Sequence, residues 1–151
     1  MSGDYITDFV SIYLITSIET TEGKDEPFVH YKPVSGTDKV FTAVIPLKNL
    51  VKTGLRKVLT AKDAKEVVEN LKNSEIDVEY NTQVAKEEVY QNQPKKVVPV
   101  LRYLWKNGEK LSKVDRELME QILSHLSNEV SFVTNKTYEE TRSEIEANLA
   151  K

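Results

Sequence analysis

The sequence predicts an α+β chain: a small β-rich, barrel-like module followed by an all-helical domain. Three observations carry this. The first sixty residues are β-branched and aromatic runs separated by turn residues. After Leu59 the apolar spacing changes from partial alternation to a helical period. The chain has 151 residues, 39% of them hydrophobic and 30% charged, which suits one domain or two small ones with a modest core.

The elements follow in order. Tyr5 to Ile18 carries Ile6, Phe9, Val10, Ile12, Tyr13, Ile15 and Ile18, and reads as a first strand. Glu22-Gly23-Lys24-Asp25 is a turn. Phe28 to Lys32 is a second strand closed by Pro33. Ser35-Gly36-Thr37-Asp38 is another turn, and Val40 to Ile45 a third strand, ended by Pro46, which has no backbone donor. Strands this short suggest a small twisted sheet curled toward a barrel. Thr60 then caps a helix bearing Ala64, Val67, Val68 and Leu71, and Asn73-Ser74-Glu75 breaks it. The expected division is therefore 1–72, a linker at 73–79, and helices over 80–151.

In the second half a helix is expected over 81–91, with Val84 and Val89 inward. Pro94 opens the next, with Val97, Val98, Leu101, Leu104 and Trp105 inward and Asn107-Gly108 as its stop. Pro99 must lie in its first turn or kink it. Ser112 with Asp115 resembles a capping box, opening a long helix through Val114, Leu118, Ile122, Leu126 and Val130. Thr137-Tyr138-Glu139-Glu140 is a full capping box for the last helix, with Ile145 and Leu149 inward.

Composition narrows the chemistry. There are no cysteines, so disulfides, thiol catalysis and cysteine-ligated zinc are out. Glycines are scattered, and neither G-x-x-x-x-G-K nor G-x-G-x-x-G occurs. His30 and His125 are the two histidines, are expected at the surface or core edge, and make a poor metal set. Carboxylates on the helices read as a solvated face. Asn135-Lys136-Thr137 matches a glycosylation sequon and reads as coincidence, because the start Met-Ser-Gly-Asp-Tyr has no secretory character. No apolar run is long enough for a membrane span. The expectation is a cytoplasmic binding protein, not an enzyme, with no cofactor, metal, membrane or small-molecule substrate.

Net charge is −3, so the whole chain is not a polycation. Charge is uneven, however. Residues 95–116 hold Lys95, Lys96, Arg102, Lys106, Lys110, Lys113 and Arg116 against only Glu109 and Asp115. A local positive face is expected there. Trp105 is expected in the core, beside Leu101 and Leu104, with a stacking residue beside Lys106 as the other reading. Tyr80 lies outside any apolar stripe, at the linker end of a helix, and has two readings: simple packing, or an aromatic free for a partner.

Two stretches carry a family resemblance. Val44-Ile45-Pro46 through Gly54-Leu55-Arg56-Lys57-Val58 resembles the signature of the CarD family of bacterial transcription regulators, a strand ending in V-P followed by V-G-(L/V)-R-x-V and a helix. That module is also shared with the transcription-repair coupling factor. Lys96 to Trp105 resembles the family's K-V-A-E-V-V-R-D-L-W, and Leu111-Ser112 with Asp115-Arg116 and Leu118-Met119 resembles L-S-x-x-E-(K/R)-x-M-L. The resemblance covers almost the whole chain.

It implies a Tudor-like β-barrel that binds the β subunit of RNA polymerase, here through Lys39, Phe41, Val44 and Pro46. It also implies a helical domain that contacts promoter DNA weakly and without sequence preference; Arg116 alone matches a basic DNA-facing position of the family directly, the positive face adds Lys95, Lys96, Arg102 and Lys106 as expected contacts, and Tyr80 is the aromatic expected at the DNA. The consequence would be a stabilised open complex. The chain departs from the pattern at several points. Asp8 to Ile12 lacks the family's Y-P-x-H-G. Val44 stands where a basic residue is common, and Gln83 replaces another. An ungapped register places the wedge tryptophan at Val78, with Tyr80 the nearest aromatic. The alternative is a CarD-fold interaction module that has lost DNA contact.

Overall fold

The computed structural model describes residues 2–9, 11–20, 23, 26–35, 42–50, 52–72 and 80–151. They form two compact units, Met1–Val58 and Leu59–Lys151. The chain is α+β. The first unit holds a five-stranded antiparallel sheet of β1 (Tyr5–Thr7), β2 (Ile12–Thr20), β3 (Pro27–Ser35), β4 (Ala43–Pro46) and β5 (Arg56–Lys57) in the order β4-β3-β2-β1-β5. Among the described residues nothing pairs β4 with β5, so the sheet is open where a barrel was expected. Its edge strands have four and two residues, which offers few ladder bonds for closure.

The expected first strand is in fact a hairpin. β1 and β2 pair antiparallel, Tyr5 opposite Leu14 and Thr7 opposite Ile12. The reversal lies at Asp8–Ser11: Asp8 Oδ1 accepts the Ser11 N–H at 2.9 Å, and Phe9 has φ +76°, unusual for a bulky residue. Pro33 does not close β3, which runs on to Ser35. The ladder shifts register there, with Tyr13 opposite Pro33 and Ile12 opposite Ser35, and such an irregularity is where a strand accommodates proline. Ile6, Ile15, Val29, Leu50 and Leu55 form the core, with Tyr13, Ile18, Tyr31, Ile45 and Leu47 packed on it. Each fully buried aliphatic side chain contributes roughly 1.5–3 kcal/mol. The Gly54-Leu55-Arg56 motif has a structural reason. Gly54 has φ +77°, which suits glycine; Leu55 enters the core; and Arg56 pairs with Thr7.

The second unit contains α1 (Ala61–Asn70), α2 (Thr82–Tyr90), α3 (Pro94–Lys106), α4 (Lys113–Thr134) and α5 (Tyr138–Leu149). Three caps fall where the sequence puts them. Thr60, Ser112 and Thr137 each accept the N–H three residues on, at 3.1, 3.2 and 3.1 Å. α1 does not close the β-module as the 1–72 division requires. Its face of Ala64, Val67 and Val68 is buried, and it packs on α3, α4 and α5. Asn148 Nδ2 donates to the Val68 carbonyl at 2.9 Å, and the Leu59 N–H donates to Glu129 Oε2 at 2.8 Å. The boundary thus falls before Leu59. The expected linker at 73–79 lies outside the described residues.

Pro94 is the first residue of α3, and Pro99 lies inside the helix rather than in its first turn. The Lys95 carbonyl therefore has no i+4 donor. Val84 and Val114, expected inward, are 52% and 46% exposed. On α2 the buried pair is Ala85 and Val89, four apart, and that rotation turns Val84 outward. Val114 sits in the first turn of α4, ahead of its buried stripe from Leu118. Glu129 and His125 are both buried, Glu129 completely, and the His125 Nε2–Glu129 Oε1 separation is 3.0 Å. Neither belongs to a solvated face. Asn135 ends α4 in the left-handed conformation, φ 56°, which gives the sequon asparagine a capping task.

Candidate functional site

Each unit presents a surface that can receive a partner. In the first unit β4 ends the sheet. It pairs with β3 through Ala43–Tyr31, Val44–His30, Ile45–Val29 and Pro46–Phe28. Among the described residues its other side has no strand, so its backbone is an edge to which an extended segment could add. Val44 is 48% exposed, and Pro46 ends the strand and starts the single turn Leu47–Asn49. Lys39 and Phe41 lie outside the described residues.

In the second unit the six residues expected to face DNA do not act alike. Lys96, Lys106 and Arg116 are exposed. Lys95 turns toward carboxylates of α1, 3.9 Å from both Asp63 and Glu66. Arg102 is half-buried. Among the described residues Lys106, Lys110, Lys113 and Arg116 have no carboxylate within ion-pair distance. These four cations follow one another along the chain from the end of α3 to the first turn of α4.

Tyr80 is not free. Its ring stacks on Tyr103 with centroids 4.3 Å apart and planes 7° from parallel. Its hydroxyl donates to Asp115 Oδ1 at 2.8 Å, and the Thr82 hydroxyl donates to the same oxygen at 3.0 Å. Burial, reinforced by the Asp115 hydrogen bond, pushes the Tyr80 hydroxyl up to about 12. Asp115 also belongs to the Ser112 cap, so one carboxylate joins the segment ahead of α2 to the start of α4. Val78, the ungapped wedge position, lies outside the described residues.

Trp105 departs from its expected place in the opposite direction. It is half-buried and lines a groove of about 690 Å³ with Lys106, Asn107, Gly108, Glu109, Lys110 and Met119. That volume lies within the roughly 300–1,000 Å³ of ordinary ligand sites. Local structure explains the groove. α3 stops at Asn107, whose Nδ2 donates to the Tyr103 carbonyl at 2.9 Å, and the chain turns through Gly108–Lys110 before α4. Trp105 belongs to the last turn of α3, immediately before the connection that supplies the rest of the groove lining up to Lys110.

The sequence also gave no prominence to Tyr90, the last residue of α2, which is 81% exposed. Its position next to buried Val89 was the available signal, because consecutive helical residues point about 100° apart. Among the described residues no three His, Asp or Glu side chains are grouped to hold a metal ion, and no helix is long and apolar enough to cross a membrane. No protein-family model matches the chain, and no curated protein matches it.

Proposed function

We propose that this chain is a CarD-like transcription regulator. On this reading the β4 edge of the first unit binds the β subunit of bacterial RNA polymerase, and the helical unit holds promoter DNA electrostatically, which prolongs the open complex. The observation that carries the reading is the β4 edge. The strand expected to make the polymerase contact ends the sheet, with Val44 outward and Pro46 at its close. The Tudor-like character of this unit rests on the sequence resemblance.

The DNA arm is supported by Lys106, Lys110, Lys113 and Arg116, which have no carboxylate within ion-pair distance among the described residues. Contacts of this kind neutralise phosphates, release counterions and carry no sequence information. Affinity for plain duplex should be weak, and its logarithm should fall with the logarithm of salt with a slope of only a few phosphates. The interaction-module alternative draws on Tyr80, whose ring is already occupied by Tyr103. In that case the chain would bind polymerase without changing open-complex lifetime.

The test of the polymerase arm is Val44→Glu in the full chain. Val44 is exposed, so the fold should be retained while affinity for the isolated β lobe drops about tenfold, roughly 1.4 kcal/mol. Unchanged affinity would remove β4 as the contact.

A further inference from the structure

Asn107-Gly108 ends α3, and the functional reading uses neither residue. It is the single asparagine–glycine pair of the chain; every other asparagine is followed by a residue that carries a side chain. An asparagine side chain and the next backbone nitrogen can close a cyclic imide. Glycine in second place leaves that approach open, because no Cβ stands beside the nitrogen. A Cβ at Gly108 would meet nothing within 4 Å, so the fold does not crowd the position either. Both residues are partly exposed, which admits the water that completes the reaction. The Gly108 N–H begins the single turn Gly108–Lys110 and has no backbone acceptor among the described residues.

One hydrogen bond opposes closure. Asn107 Nδ2 donates to the Tyr103 carbonyl at 2.9 Å, which ties the side chain back to the last turn of α3. The backbone at Asn107 also stays near-helical, with φ −101° and ψ 19°. The nitrogen that caps the helix is therefore the nitrogen that must leave, so cap and imide exclude each other. Helix ends fray, and each opening of the last turn frees the amide.

We propose that Asn107 is a self-modification site gated by its own cap, where opening of the Nδ2–Tyr103 bond lets the Gly108 nitrogen displace the side-chain amide. In that step the Gly108 nitrogen bonds to Asn107 Cγ and the Cγ–Nδ2 bond breaks. Nδ2 departs as ammonia with the proton of the Gly108 amide. Water then opens the imide at either carbonyl, leaving aspartate or isoaspartate at position 107. The product cannot restore the cap, because it has no amide donor and its carboxylate meets the negative end of α3. The opening becomes permanent, and a negative charge is added next to Lys106 within the basic stretch 95–116. The site stands independently of the polymerase and DNA reading.

The test incubates the full chain side by side in its folded form and in urea, in mildly alkaline buffer. Peptide mass mapping follows the loss of the amide, and isoaspartyl methyltransferase labelling detects the isoaspartate that an imide yields and direct amide hydrolysis does not. Residue 107 should convert to both products in both samples, several-fold more slowly in the folded chain. Gly108→Ala fits the open space at that position and should slow the conversion several-fold in either sample. Asn107→Asp, the product in permanent form, should fold with a lower urea midpoint than wild type. Absence of isoaspartate at position 107 in the folded chain, or a rate unchanged by Gly108→Ala, would overturn the site. Equal rates in the folded chain and in urea would overturn the gate. An Asn107→Asp midpoint equal to that of wild type would overturn the consequence for α3.

Discussion

Tyr80 and Trp105 make the most instructive pair in the helical unit, because their apparent roles exchange between sequence and structure. Tyr80 stands outside any apolar stripe, yet its ring is stacked and its hydroxyl is tied to Asp115. Trp105 stands on the stripe of α3, yet lines an open groove. The difference lies in where each falls along the chain. A residue on a stripe is covered only as far as the neighbouring helix extends, and Trp105 is one residue from the end of α3. A residue off every stripe is still covered when later helices bring partners to it: Tyr103 of α3 stacks on the Tyr80 ring, and Asp115 in the first turn of α4 accepts from its hydroxyl. Helical periodicity predicts the direction of a side chain, and the lengths of the partner helices decide whether anything meets it.

The largest effect expected from this contrast is on stability. Tyr80→Ala removes a stacked ring and a hydrogen bond to a carboxylate, and should lower the unfolding free energy by about 2–3 kcal/mol in a urea titration. If Tyr80→Ala were neutral, Tyr80 would regain its standing as a free aromatic and the contrast would fail. Trp105→Phe keeps an aromatic floor at a site already partly open to solvent, and should change stability by less than about 1 kcal/mol. A loss as large as that of Tyr80→Ala would return Trp105 to the core.

A smaller effect should appear in alkali. The Tyr80 hydroxyl ordinarily titrates near 10 and is raised to about 12 in the fold. A group whose folded value is raised contributes stability that is fully present below the unfolded value and is lost as pH rises through the folded one. The stability difference between wild type and Tyr80→Phe should therefore be constant up to about pH 10 and shrink toward pH 12. Tyr13, raised to about 12 by its own burial and by Asp8, belongs to the other unit and is common to both proteins, so it cancels in the difference. A difference that stays flat from pH 9 to 12 would show that neither the burial of the Tyr80 hydroxyl nor its hydrogen bond to Asp115 holds in solution.

Local signals were readable in the sequence wherever a few neighbouring residues decide the outcome. The caps at Thr60, Ser112 and Thr137 depend on one side chain and an N–H three residues on, and all three form. Non-local outcomes were not. The α1 stripe is apolar whichever partner it meets, and only packing on α3, α4 and α5 reveals that it belongs to the helical unit. Glu129 looks like any helical carboxylate until the Leu59 N–H arrives from 70 residues away. The reversal at Asp8–Ser11 was hidden because Phe9 suits a strand by composition, and its positive φ is imposed by the turn. For the candidate site, the basic stretch 95–116 was evident from charge alone. Which of its cations are unpaired depended on where Asp63 and Glu66 lie.

The central claim is that one chain holds polymerase with its sheet edge and DNA with its helical unit. The measurement that bears on it most directly is the lifetime of the open complex formed by bacterial RNA polymerase on a promoter, with the wild-type chain and with Val44→Glu. The account predicts that the wild-type chain lengthens the lifetime and that Val44→Glu, although folded, loses most of that effect because it no longer stays on the polymerase. A lifetime unaffected by the wild-type chain, or lengthened equally by Val44→Glu, would contradict it.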